Sequence, residues 1–369
     1  MMPHRRLFLL SLAALPLWLL SACAQDKAPK QTFDCTNIPD APLEINQLEE
    51  PGVSAHPSGY HDLAFDREGW VAGHDRTNLI RATRQMQVQV ISSAITSAEG
   101  MEYLPDGRLV VAASDGQGVV ALSPNGALVS LAPDLSAFSI VLGPDSRIYS
   151  ANDDKIVRID PDTGATEDYL TAVASARVLN FSPDFRLLYV GDRGENVYVV
   201  DLDDELNPVG PPRHFATLPG NVYQDGLAID VCGNLYVPKW PDILYRVTPD
   251  GTVSIYHKWA ETAKYGHGLK WGSGLGGFRR DALYSPQPWN DSQYTVVEVV
   301  VGVPGHPPGG FPGSPPAGDP HELTCGASGR HTRAPGAALA LFALALFALR
   351  RRRRPASGGV RHSKDVIPD

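Results

Sequence analysis

The stretch that decides the fold runs Asp225-Gly226-Leu227-Ala228-Ile229-Asp230-Val231-Cys232-Gly233-Asn234-Leu235-Tyr236-Val237. A short apolar segment meets an Asp/Gly/Asn cluster, and a second apolar segment follows. Short runs of apolar and β-branched residues between turn clusters predict two β-strands joined by a tight turn. Related stretches recur along the chain, at residues 60–72, 99–111, 141–150, 178–190 and 267–285.

The spacing of these six copies is about 40 residues, which is typical of propeller blades. Each copy continues into further short strands, such as Ile156–Asp160 and Leu244–Val247, so each repeat holds four strands. We therefore predict an all-β fold, a six-bladed β-propeller with four-stranded blades over residues 42–303. The sixth copy shows three strands, and we expect the segment Pro42–Leu48 to supply the fourth and close the ring. A pair of β-sandwiches is the alternative.

Charge is distributed unevenly over the 369 residues. Without the N-terminal leader and the tail beyond residue 333, 23 basic residues stand against 39 acidic ones, a net charge of −16. An acidic body repels phosphate backbones, so we expect no nucleic-acid partner. Acidity of this degree suits a cation or a basic surface, and it also serves solubility alone.

The N-terminus predicts export. Arg5 and Arg6 precede an apolar run from Leu7 to Leu20, which is the pattern of a signal peptide. The run ends in Leu20-Ser21-Ala22-Cys23, which resembles the lipobox of bacterial lipoproteins. We expect a signal peptide over 1–23, lipidation of Cys23 and an N-terminal linker over 24–41. Position 24 holds Ala and not the Asp that retains such lipoproteins at the inner membrane. This favours a location in the outer membrane or at the cell surface. An ordinary secretory signal is the alternative.

The C-terminus carries a second membrane signal. Residues 304–333 are rich in Pro and Gly and predict a linker. Residues 334–354 join a short apolar segment, expected to be helical, to the Arg cluster 350–354, and residues 355–369 form a tail. Cys325, the apolar run and the Arg cluster resemble a myxobacterial-type C-terminal sorting tail, although such tails end soon after the arginines. A plain tail anchor is the alternative, and with either signal we expect a cell-envelope protein held to a membrane by its termini.

Four cysteines occur, Cys23, Cys35, Cys232 and Cys325. With Cys23 assigned to lipidation and Cys325 to the tail, Cys35 and Cys232 remain. In an oxidising compartment these two are candidates for a disulfide, with free thiols as the alternative.

The candidate site lies at one mouth of the central channel. The first strand of each propeller blade lines the channel, so the residues that open the first strands are expected to converge. By alignment of the copies these are His61, Glu99, Phe138, Arg177, Asp225 and His267. A funnel with these side chains can bind a cation or a polar ligand, or perform acid–base chemistry.

One stretch resembles the senescence-marker-protein/gluconolactonase family: Gln224-Asp-Gly-Leu-Ala-Ile-Asp230 with the following Cys-Gly-Asn-Leu-Tyr-Val. The repeat pattern of that family is shared with NHL-like propellers. Members of that family hold a divalent metal, often calcium, and hydrolyse lactones or related esters. The resemblance implies Asp225 as a metal ligand, because only this position matches the family pattern. By their place at the mouth, Glu99 and His61 are candidates for further metal ligands. Asp225, Glu99 and His267 are candidates for catalytic residues, and Arg177 and His267 for contacts with substrate. The chain departs from the family pattern in three places, since His61 stands for a Glu, Glu99 stands for an Asn, and Arg177 brings a fixed cation.

Two functions from different classes follow from these features. The first is an envelope-tethered module that binds a small molecule or a surface protein around the acidic, His-lined funnel. The second is a gluconolactonase-like, metal-dependent lactone or ester hydrolase with altered metal ligands, using calcium or a transition metal. A third interpretation is a water-filled channel with a purely structural role. In such a channel Arg177 pairs with Asp225 or Glu99, and the charged residues need no binding or catalytic function.

Overall fold

The computed structural model describes residues 33–48, 57–58, 61–220, 223–259, 267–287 and 295–305. All of them lie in the first of two compact units, Met1–Gly318, into which the chain divides. The predicted signal peptide with Cys23, the C-terminal linker beyond Gly305 and the apolar segment with its tail lie outside the described residues. No helix long and apolar enough to cross a membrane occurs among the residues that are described.

The described part is a six-bladed β-propeller, as predicted, and each blade is a four-stranded antiparallel sheet. Blade one holds β2 (Ala64–Phe65), β3 (Val71–His74), β4 (Leu79–Ala82) and β5 (Val88–Ser92). Blade two holds β6 (Met101–Tyr103), β7 (Leu109–Ala113), β8 (Gly118–Leu122) and β9 (Leu128–Ala132). Blade three holds β10 (Ser139–Leu142), β11 (Ile148–Asn152), β12 (Lys155–Ile159) and β13 (Thr166–Leu170).

The remaining blades follow the same plan. Blade four holds β14 (Ala176–Phe181), β15 (Leu187–Asp192), β16 (Asn196–Asp201) and β17 (Arg213–Thr217). Blade five holds β18 (Ala228–Ile229), β19 (Leu235–Lys239), β20 (Ile243–Val247) and β21 (Val253–Lys258). Blade six holds β22 (Lys270–Trp271), β23 (Ala282–Pro286), β24 (Val296–Val300) and β1 (Glu44–Leu48).

The hydrophobic core is divided among the blade interfaces. Six clusters of buried apolar residues each join two neighbouring blades, and between them they complete a ring. The cluster between blades six and one contains Leu48 of β1, Leu63 of blade one and Phe278 of blade six. Because each blade is apolar on two faces, it cannot bury both until the ring is closed.

Closure comes from the N-terminal segment, as the sequence predicts. β1 pairs antiparallel with β24, with Glu44 opposite Val300 and Leu48 opposite Val296. The chain before β1 is joined to blade five by a disulfide between Cys35 and Cys232, whose Cα atoms lie 5.7 Å apart.

A buried carboxylate lies at the closing seam. Glu298 of β24 is 0% exposed. It accepts hydrogen bonds from Arg84 of blade one (2.7 Å), from Asn46 of β1 (3.0 Å) and from the Tyr284 hydroxyl. Burial by itself would raise the pKa of Glu298, but the hydrogen bonds from Arg84, Tyr284 and Asn46 outweigh burial and lower it.

We expect Glu298→Gln to lower the free energy of unfolding by about 3 kcal/mol, because it removes the charge that compensates Arg84 at a buried seam. Urea unfolding of both proteins at neutral pH measures the difference. The matched control is Asp204→Asn, which breaks the exposed pair of Asp204 with Arg186 and should change stability by less than about 0.5 kcal/mol. Equal losses in the two variants would contradict the role given to Glu298.

Candidate functional site

The central channel is lined by residues from all six blades and encloses about 110 Å³. The first strands of neighbouring blades approach one another closely at its mouth. A Cβ atom on Gly268 would lie 2.4 Å from the carbonyl oxygen of His61, and one on Gly226 would lie 2.8 Å from the amide nitrogen of Leu269. Glycine directly after His267 and after Asp225 therefore lets the channel narrow at this point.

Five of the six residues predicted at the mouth lie in two linked groups. In the first group, Nδ1 of His61 contacts Oε2 of Glu99 within hydrogen-bonding distance. In the second group, Nε and Nη2 of Arg177 both donate to Oδ1 of Asp225, at 2.7 and 2.6 Å. Nδ1 of His267 lies 3.5 Å from Oδ2 of the same Asp225 carboxylate.

Ring contacts join the two groups. The imidazoles of His61 and His267 stack with centroids 4.6 Å apart. The sixth predicted residue, Phe138, contacts both groups, since its ring centre lies 3.6 Å from the guanidinium carbon of Arg177 and 5.4 Å from the centre of the His61 ring. The sequence left open whether Arg177 pairs with Asp225 or with Glu99, and the structure pairs it with Asp225.

Burial and neighbouring charge set the protonation of this site. Burial raises the pKa of Asp225, although the Arg177 guanidinium acts against it. Burial is the largest influence on the pKa of Glu99 and would raise it, but the hydrogen bonds to His61 and Ser114 and the charges of His61 and Arg177 together lower that pKa. Burial, with the charges of His61 and Arg177, holds the pKa of His267 well below its ordinary value. His267 is thus a neutral imidazole at neutral pH.

The residues at the mouth do not fit a divalent cation. Among the described residues no three His, Cys, Asp or Glu side chains converge in a way that could hold a metal ion. The expected set of Asp225, Glu99 and His61 is divided, because Glu99 is paired with His61 and Asp225 with Arg177. A guanidinium cannot lose its proton in a protein, so it places a permanent positive charge where a metal would need oxygen atoms.

A second tier of charged residues lies deeper in the channel and was missed by the sequence analysis. Nζ of Lys270 lies 3.1 Å from Oε2 of Glu102 and 3.4 Å from Oδ2 of Asp62. Burial raises the pKa of Asp62 to about 6, against the attraction of Lys270. Glu102 lies three positions after Glu99, and Lys270 lies three positions after His267. Asn180 follows Arg177 at the same spacing, so this repeated spacing is the sequence signal that could have identified the second tier.

Residues 139–260 match the family model described as the SMP-30/gluconolactonase/LRE-like region. No curated protein matches the chain. Among solved structures, a luciferin-regenerating enzyme has a similar fold, with 16% identity and a TM-score of 0.58 over 72% of this chain and 98% of that one. A gluconolactonase from Xanthomonas campestris is also similar, with 13% identity and a TM-score of 0.54 over 72% of this chain and 97% of that one. A third similar structure is regucalcin, a calcium-binding protein from Agrobacterium tumefaciens. It is 16% identical, with a TM-score of 0.54, and the match covers 68% of this chain and 92% of that one. At these identities the likeness establishes the fold.

The neutral state of His267 gives a prediction about pH and stability. The unfolded chain protonates this histidine near its ordinary pKa of 6.5, whereas the folded protein keeps it neutral. The stability that it contributes is therefore complete above pH 6.5 and is lost as the pH falls below that value. In His267→Asn we expect the loss of stability between pH 6.5 and 5 to be smaller than in wild type by about 1 to 2 kcal/mol.

The measurement is chemical unfolding of both proteins at several pH values, in which the contribution of Asp62 is common to both. His214→Asn is the control, because His214 is exposed on blade four. Parallel pH profiles for wild type and His267→Asn would show that His267 charges in the folded state.

Proposed function

We propose that the chain is an exported, envelope-tethered β-propeller that binds a small polar molecule at the mouth of its central funnel, without a metal ion. The observation that carries this proposal is the linked arrangement of His61, Glu99, Arg177, Asp225 and His267, which come from five different blades. Groups held by a rigid ring are oriented before a ligand arrives, so little conformational entropy is lost on binding. The match to the gluconolactonase family model supports a small-molecule site in this channel.

The test is a thermal-shift screen of sugar acids, lactones, amino acids and organic acids. We expect a ligand that stabilises wild type to bind at least about 10-fold more weakly to Arg177→Met and to Glu99→Gln, since the first change removes the cation that pairs with Asp225 and the second removes the carboxylate that contacts His61. The control is Arg186→Met, in which an exposed arginine of a distant turn is changed. Binding should persist in EDTA. Ligands that bind all four proteins equally would place the site elsewhere.

The alternative function is a lactone or ester hydrolase of the gluconolactonase kind, with Asp225, Glu99 and His267 as its working residues. It is supported by the match of residues 139–260 and by the neutral His267 beside Asp225. A divalent cation, calcium or a transition metal, would first require Arg177 to leave Asp225. Metal analysis of wild type and Asp225→Ala decides between the two functions. One metal per chain in wild type, lost in the variant and accompanied by hydrolysis of a lactone panel, would favour the hydrolase.

We also propose that Cys23 is acylated and holds the protein in the outer envelope. The lipobox Leu20–Cys23 after an apolar run supports this, and the Cys35–Cys232 disulfide agrees with an oxidising compartment. In the native host, we expect Cys23→Ala to abolish incorporation of labelled palmitate and Cys35→Ala to leave it unchanged. Continued membrane attachment of Cys23→Ala would assign anchoring to the C-terminal apolar segment, whereas labelled Cys23→Ala would disprove the lipoprotein assignment.

A further inference from the structure

Two exposed aromatic side chains lie on a pair of segments next to the mouth residue Asp225, whose amide faces the carbonyl of Pro238 at 3.5 Å. Tyr223 and Trp240 are 53% and 38% exposed. Gln224 and Lys239 face each other in an antiparallel bridge, and the amide of Trp240 donates to the carbonyl of Tyr223 at 3.4 Å. Tyr223 and Trp240 are therefore the next pair of this short ladder, and paired residues project from the same side of it. We call these two side chains the aromatic rim.

The backbone that carries the aromatic rim is held by buried polar groups. Nζ of Lys239 donates to the carbonyls of Leu218 and Pro219 at 2.8 and 3.2 Å, and the Tyr245 hydroxyl donates to the same Pro219 carbonyl at 2.8 Å. The side-chain amide of Gln224 donates to the carbonyl of Asn196 at 3.0 Å. The two exposed rings are thus presented by a fixed support, which is a property of recognition surfaces.

Arg177 connects the aromatic rim to the mouth residue Phe138. Its guanidinium carbon lies 5.1 Å from the centre of the Tyr223 ring and 3.6 Å from that of Phe138. Its Nε and Nη2 are used by Asp225, whereas Nη1 makes no hydrogen bond to any residue that the structure describes. Within the described part of the chain, the Nη1 group of this fixed cation is therefore open to a ligand that also contacts the aromatic rim.

We propose that the rim recognises a small aromatic carboxylate, whose ring packs on Tyr223 and Trp240 while its carboxylate accepts a hydrogen bond from Arg177. This inference rests on the proposed function and adds the class of ligand. A cationic ligand is disfavoured because the Arg177 guanidinium, 5.1 Å from the centre of the Tyr223 ring, would repel it. A polyol is disfavoured because both Asp225 oxygens and one Glu99 oxygen already have partners within the site.

The experiment compares two acids that differ in aromaticity, phenylacetate and cyclohexylacetate, by isothermal titration calorimetry. The proteins are wild type, Tyr223→Leu, Trp240→Leu and Arg177→Met. Each Leu variant replaces one aromatic ring of the rim by an apolar side chain without a ring. The matched control is Phe33→Leu, which removes a ring that is 36% exposed outside the blades. Thermal unfolding of each variant verifies its fold.

We expect wild type and Phe33→Leu to bind phenylacetate roughly 3- to 10-fold more tightly than cyclohexylacetate. The preference should disappear in Tyr223→Leu and in Trp240→Leu, and Arg177→Met should weaken both acids. Equal binding of the two acids, a preference that survives both Leu variants, or binding of neither acid would overturn the inference. The proposed function fails separately, when ligands found in the thermal-shift screen are insensitive to Arg177→Met and Glu99→Gln.

Discussion

The pairing of β1 with β24 is the constraint on which the rest of the structure depends. A ring of blades has two apolar faces at its open ends, and neither can be buried until the first strand of the chain joins the last blade. Glu298 marks this joint, because its carboxylate is satisfied only when β1, blade six and blade one are all in place. Closure also sets the diameter of the channel, and so the distances between side chains that reach it from different blades.

The charged residues in the channel are paired across different blades of the closed ring. Two negative groups and a permanent cation lie at the mouth, and two carboxylates with one ammonium lie below. Each carboxylate is paired with a nitrogen donor from another blade, so the electrostatic contacts are also contacts between blades. Removing one partner leaves a charge that the rigid wall cannot move into water, which makes such pairs sensitive to substitution even where they add little net stability.

The fold could be predicted from the sequence because it rests on repetition. Turns such as Pro105-Asp106-Gly107 and strands such as Leu235–Val237 recur with one period, and the incomplete sixth copy points to Pro42–Leu48 as the missing strand. The positions at the mouth follow from the same alignment. The pairing of Arg177 with Asp225 does not, because it depends on which rotamers fit between Phe138 and neighbouring blades. Tyr223 and Trp240 lie in connections outside the repeat, where no periodic signal identifies them.

Arg177 decides what kind of chemistry the funnel can perform. A metal site requires oxygen and nitrogen atoms whose lone pairs converge on one point, whereas here the two carboxylates face nitrogen donors. A guanidinium supplies positive charge without exchange or loss, and here it lies over the rings of both Phe138 and Tyr223. The funnel thus keeps a positive centre at a fixed position whatever cations the surroundings contain. Recognition of an acceptor on a ligand needs only such a centre, and the aromatic rings that hold Arg177 extend to the surface where a ligand would arrive.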